Sequence, residues 1–234
     1  DEENILESGL LDKAIATHER LDAWVPPASV QVIEIAGWGL DTVSGVRYDE
    51  KSLDECHDLG GAIPLCTETG MYEPVYDPQF TVDGDAVVAA PSALMLPEAG
   101  NIKRYWVDLY NYNNNTASDR KHRDILSVTR LQDFIANIVT NQEGAALPNF
   151  VTTSRPNDYA GAKPRIRMSL YSPLDIHLYD DAGRHTGPKT IMIDGQSKTI
   201  FEENIPNSYY YQFGDRKYVG FDSGEHIHVV LDGY

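Results

Sequence analysis

Near residue 163 the hydrophobic period of this 234-residue chain changes to two, and that change limits the folds open to it. Beyond it, runs of β-branched and aromatic residues fall at 165–171, 174–179, 190–193, 198–202, 208–213, 216–221 and 226–231. Turn residues separate several of them: Asp181 to Gly183, Asp194-Gly195, Gly214-Asp215 and Ser223-Gly224. Alternating strands joined by Gly/Asp turns pair antiparallel. Several at close spacing predict a small β-sandwich, Ig-like in architecture, over 164–234.

The first part of the chain reads differently. Residues 4–22 carry Ile5, Leu6, Leu10, Leu11, Ile15 and Leu21 at helical spacing, and Pro26-Pro27 ends the pattern. A β-branched run at 30–35 leads into Gly37-Trp38-Gly39, where glycines permit a sharp turn at a strand's C-terminal end. A short extended piece follows at 45–48. Residues 49–82, broken by Pro64, Pro74, Pro78 and several glycines, read as an irregular loop or lid. A short helix at 92–96, a strand at 103–110, a polar loop at 111–119 and a helix at 123–140 complete this part. In the last helix Ile125, Val128, Leu131, Ile135 and Ile138 share a face.

Charge divides the chain in the same way. The whole carries 36 Asp+Glu against 19 Lys+Arg, a net of −17. Residues 1–150 account for −15 of this and residues 151–234 for −2. This predicts two units, 1–150 and 164–234, with a linker at 151–163 inside a Pro/Gly/Asn-rich stretch. The acidity excludes a nucleic-acid binder, which needs a basic footprint, and disfavours an anionic membrane surface. No apolar run approaches a membrane span of about 20 residues, so no span is expected.

Several residues are candidates for chemistry. Asp85 lies in an acidic turn after the long loop, and His122 lies between a strand and a helix. Either fits an ordinary solvated or structural side chain when taken alone. Cys56 and Cys66, ten apart, suit a disulfide closing a small loop if the chain is exported, or two free thiols if it is not. His226 and His228 face one side of a strand, as metal ligands awaiting a third would, or as plain solvent-facing residues. Tyr209 to Tyr211 fit a carbohydrate platform or a run of β-formers. No cofactor motif is present, and none is expected.

The order of features over roughly 25–140 resembles the C-terminal half of the lecithin:cholesterol acyltransferase-like lipases. The resemblance rests on the strand at 30–35, the Gly37/Gly39/Thr42 loop, Tyr48 on the next strand, and the Gly84-Asp85 turn. It continues through the helix at 92–96, the strand at 103–110, and His122 followed by Asp124, Ile125 and Leu126. Where that family shows Gly-Thr or Asp-Thr after the acid, this chain has Ala86-Val87.

The resemblance implies an α/β fold: the late half of an α/β-hydrolase parallel sheet with flanking helices, followed by the C-terminal antiparallel β-sandwich. In that sheet the strands at 30–35 and 103–110 run parallel, and Asp85 and His122 leave loops at one edge within hydrogen-bond reach of each other. It implies Asp85 as the triad acid, with Asp83 as a neighbouring alternative, and His122 as the general base. No Gly-x-Ser-x-Gly occurs, so the nucleophile is expected outside this sequence, in an N-terminal half that is a separate chain or a removed segment. The implied substrate is a carboxylic ester or lipid. The β-sandwich resembles modules appended to exported prokaryotic proteins, which implies an extracellular or cell-envelope location. A reading from another class is a non-catalytic exported surface protein whose sandwich binds a polymer or a partner protein.

Overall fold

A computed structural model describes residues 8–52, 55–57, 65–67, 70–140, 146–157 and 165–233. The chain folds into two compact units. The first comprises Asp1–Leu40 and Val82–Ala162, the second Asp41–Thr81 and Lys163–Tyr234. The segment read as an irregular lid thus belongs with the C-terminal part of the chain.

In the first unit, α1 (Ser8–Leu21) is an exposed helix. Strand β1 (Val32–Trp38) pairs in parallel with β6 (Ile102–Asp108), from Val32 opposite Ile102 to Trp38 opposite Asp108. Strand β7 (Val151–Thr152) adds to β6 antiparallel. The short helix α2 (Ala90–Ala93) lies between β1 and β6 in the chain. After β6 come α3 (Leu109–Thr116), a 3-10 helix (His122–Ser127) and α4 (Leu131–Val139). Leu40, Val107, Leu109, Tyr112, Val128, Leu131, Phe134 and Val151 form the core, with Ile125, Ile135 and Ile138 packed on it.

The expected late half of an α/β-hydrolase parallel sheet is not the fold. The chain is mostly β, 44% strand and 21% helix, in several antiparallel sheets. Among the described strands, β1 and β6 make the one parallel pairing of named strands, and β7 closes that sheet antiparallel. Two local effects hid this in the sequence. The stretch from residue 42 to 81 is a long antiparallel ribbon of β2 (Thr42–Ser52) and β5 (Tyr72–Thr81), with β3 (Glu55–His57) paired to β4 (Leu65–Thr67) inside it. Pro74 and Pro78 sit in β5 opposite Glu50 and Val46. Proline lacks the N–H a central strand needs, but β5 pairs only with β2 in its sheet, and an edge strand tolerates it. Second, the polar segment after β6 is the helix α3. The Asp108 carboxylate accepts the Asn111 amide at its N-terminus, and Ala117 ends it in a left-handed conformation.

The helix expected at 123–140 is also split. Arg130, at φ 66°, interrupts it between the 3-10 turn and α4. Strand β7 occupies the first residues of the expected linker 151–163, whose last residues lie outside those described.

In the second unit, β11 (Gln196–Glu203), β10 (His185–Ile193), β9 (Asp175–Asp180) and β14 (Ile227–Asp232) form one sheet in that order. Strands β12 (Tyr209–Phe213), β13 (Arg216–Asp222) and β8 (Arg165–Tyr171) form another. All their pairings are antiparallel. Ile176, Leu178, Ile205, Tyr210, Val219 and Phe221 form the core they share. The hairpin turns follow their residues: Asp194-Gly195 takes positive φ at both positions, as a type I′ two-residue turn requires. The β2–β5 ribbon joins this unit through Phe80, stacked on Tyr209 at 5.4 Å with the Arg167 guanidinium 4.2 Å above its ring.

Candidate active site

The loops after β1 and before α2 meet at Asp85. The Gly39 amide donates to the Val82 carbonyl and the Leu40 amide to the Gly84 carbonyl, at 2.9 and 3.0 Å. These bonds lay residues 82–85 beside the end of β1, where Leu40 and Asp85 form a parallel bridge. The turn then doubles back, with the Ala90 amide donating to the Asp83 carbonyl at 2.7 Å.

Within this turn the Asp85 side chain is buried and fully engaged. Its Oδ1 accepts the amides of Val87 at 3.2 Å and Val88 at 2.8 Å. Its Oδ2 lies 2.8 Å from His122 Nδ1. The backbones are joined too: the His122 amide donates to the Asp85 carbonyl at 3.0 Å. The pair is asymmetric in exposure, 7% for the Asp85 side chain and 47% for His122. Two backbone N–H bonds fix the carboxylate, and the carboxylate then selects which ring nitrogen carries hydrogen.

His122 opens the 3-10 turn, and the loop before it is held from two sides, by Asn113 and by Asp124. Asn113, buried on α3, accepts the Arg120 amide at 2.8 Å and donates to the Arg120 carbonyl at 3.0 Å. Asp124 accepts the Lys121 amide at 2.8 Å and the Arg120 guanidinium at 2.9 Å. Burial works to raise the Asp124 pKa, but the Lys121 amide and the Arg120 charge outweigh it and hold the carboxyl below its usual range.

Of the two candidate acids, Asp83 sits with Arg155, whose Nε is 3.2 Å from its carboxylate, while Asp85 reaches the imidazole. Asn113 was not apparent from the sequence. An asparagine in the run Asn111 to Asn115 reads as loop, and only the helix it lies on brings it to Arg120. Cys56 and Cys66 are opposite each other in the β3–β4 register, but their side chains lie outside the described residues. Tyr209 and Tyr210 are buried and Tyr211 partly so, which makes the triplet part of the packing rather than an open platform. No helix among those described is long and apolar enough to cross a membrane.

Comparison with protein-family models, with curated proteins and with solved structures returns no match.

Proposed function

We propose that Asp85 and His122 are the acid and base of a serine-hydrolase relay acting on carboxylic esters or lipids, with the nucleophile supplied from outside this sequence. The observation that supports this reading is the 2.8 Å contact between a half-exposed imidazole and a buried carboxylate already fixed by two backbone amides. Asp85 holds Nδ1, so Nε2 is the nitrogen that faces proton transfer. When a hydroxyl attacks a substrate carbonyl, Nε2 takes its proton, and Asp85 stabilises the imidazolium that forms. The proton then passes to the alkoxide that leaves as the ester bond breaks, and a water deprotonated by the same Nε2 releases the acyl group from the nucleophile as the free acid. Placing the carboxylate before the reaction removes a reorganisation cost from the transition state.

The test has two arms. The chain alone is expected to leave p-nitrophenyl butyrate unhydrolysed. Joined to a segment bearing a Gly-x-Ser-x-Gly elbow encoded upstream, it is expected to hydrolyse the ester, with His122→Ala costing about 10⁶ and Asp85→Asn about 10⁴ in kcat. Nitrogen-15 NMR of the chain alone supplies the second arm: His122 is expected as the Nδ1–H tautomer, losing that preference in Asp85→Ala. An Nε2–H tautomer, or full activity in His122→Ala, overturns the reading.

A further inference from the structure

We propose that Asp181, His226 and His228 form a zinc-binding site on the surface of the second unit. Strand pairing assembles it. Strands β9 and β14 run antiparallel with Ile227 opposite Asp180, so the next step outward sets His226 opposite Asp181. His228, opposite Tyr179, is the diagonal neighbour of Asp181 on the same face. Opposed and diagonal positions are the two places from which cross-strand side chains meet.

The distances follow from this register. His226 Nδ1 lies 2.8 Å from Asp181 Oδ1, and His228 Nε2 lies 3.9 Å from the same oxygen. One ligand atom from each residue falls within 4.8 Å of the other two. The two imidazoles stand edge to face, with centroids 5.0 Å apart. Zinc at about 2.0–2.1 Å from each ligand needs ligand atoms about 3.3 Å apart for a tetrahedral site. Side-chain rotation closes the remaining gap, and all three side chains are free to rotate because they are exposed.

The turn that carries Asp181 is rigid without its help. The neighbouring Asp180 carboxylate accepts the amides of Ala182 and Arg184 at 3.0 and 2.8 Å and the Arg184 guanidinium at 2.5 Å. Asp180 thus meets the turn's structural demands, and Asp181 is left projecting toward the histidines. An exposed Asp–His pair contributes little as an ion pair, and a second imidazole against the same oxygen adds little more. A divalent ion gives both rings and the carboxylate a common partner. Two imidazoles and one carboxylate suit zinc, whereas calcium and magnesium require oxygen ligands.

A second histidine pair gives an internal control. His177 and His185 are 3.0 Å apart, but His185 is bonded to Glu202, which also takes the Lys189 ammonium at 2.7 Å. That cation repels a divalent ion, and these rings already have partners.

The experiment is calorimetric titration of the metal-stripped full chain with zinc chloride, alongside thermal unfolding with and without the metal. A single high-affinity ion per chain is expected, with a rise in Tm as the metal clips the β9–β10 turn to the start of β14. His226→Ala/His228→Ala is expected to weaken binding by more than about tenfold, since loss of even an outer partner costs that much at metal sites. Asp181→Asn should weaken it as well, while His185→Gln leaves it unchanged. Circular dichroism checks that each variant is folded, which these exposed positions favour. No binding up to about 1 mM zinc, or equal binding by the double variant, overturns the proposal.

Discussion

Gly37 and Asp85 approach so closely that a methyl group on Gly37 would lie 2.5 Å from the Asp85 Cβ. The same methyl would meet Leu109 Cδ1 at 3.0 Å and Ile125 Cδ1 at 3.1 Å. Glycine on β1 is thus what lets the acidic turn lie against the strand. Gly37→Ala is expected to cost about 1–3 kcal/mol, the range for overpacking, and to displace Asp85 from His122. Urea denaturation gives the first quantity and the His122 tautomer the second. An alanine variant as stable as the parent contradicts the packing.

Ala86 carries a φ of 77°, a left-handed conformation that an L side chain enters at a cost. Ala86→Gly relieves that cost but loosens the unfolded chain. The net expectation is a gain of about 0.5–1 kcal/mol, read as a higher denaturation midpoint with an unchanged slope.

Asp85 and His122 should separate by stability as well as by chemistry. Asp85→Ala strips two backbone amides of their acceptor and is expected to cost about 1–3 kcal/mol. His122→Ala removes a half-exposed ring and should cost under about 1 kcal/mol. Equal losses would mean that the imidazole is a structural prop.

Tyr209 makes stability fall at high pH. Burial, and then the charge of Asp41, push its hydroxyl up to about 12, against an opposing hydrogen bond from Arg167. The unfolded value is 10.0, so the contribution is complete below pH 10 and is lost as pH rises toward 12. Two pH units correspond to about 3 kcal/mol at most. Alkaline unfolding followed by circular dichroism should show this slope. Tyr209→Phe should flatten part of it, while Tyr218, also pushed up to about 12 chiefly by burial, keeps the rest.

The parts of the fold legible in the sequence are those fixed by neighbours in the chain. Alternation and Gly/Asp turns locate the strands of 165–232 closely except β10, which begins at His185 rather than at the expected 190, because Gly187 and Pro188 mask its first half. The runs at 30–35 and 103–110 locate β1 and β6 as strands, but their parallel pairing is implied only by the family resemblance and not by the residues of either run. The sheet around them is not legible, since a single parallel pair says nothing of what lies beyond its edges. The β2–β5 ribbon stays hidden because Pro74 and Pro78 suppress a strand signal unless the strand is known to be an edge. At the site, Asp85 and His122 stand out as residue types with an expected order. Asn113 does not, because its role depends on α3 carrying it to the Arg120 backbone.

The chain passes between its two units three times, after Leu40, after Thr81 and after Ala162. Cleavage in the stretch at 144–163 severs only one of these connections, so a cut there does not by itself yield two independent fragments. The same interleaving sets a schedule for synthesis. Phe80 leaves the ribosome long before Tyr209, the ring it stacks on, has been made. At about 5–20 residues per second the ribbon waits on the order of ten seconds for its partner. During that time it is an isolated hairpin, a form only marginally stable in water. A nascent chain stalled in this interval exposes an unpaired β-edge, which makes the ribbon the segment through which holding chaperones or self-association would act first.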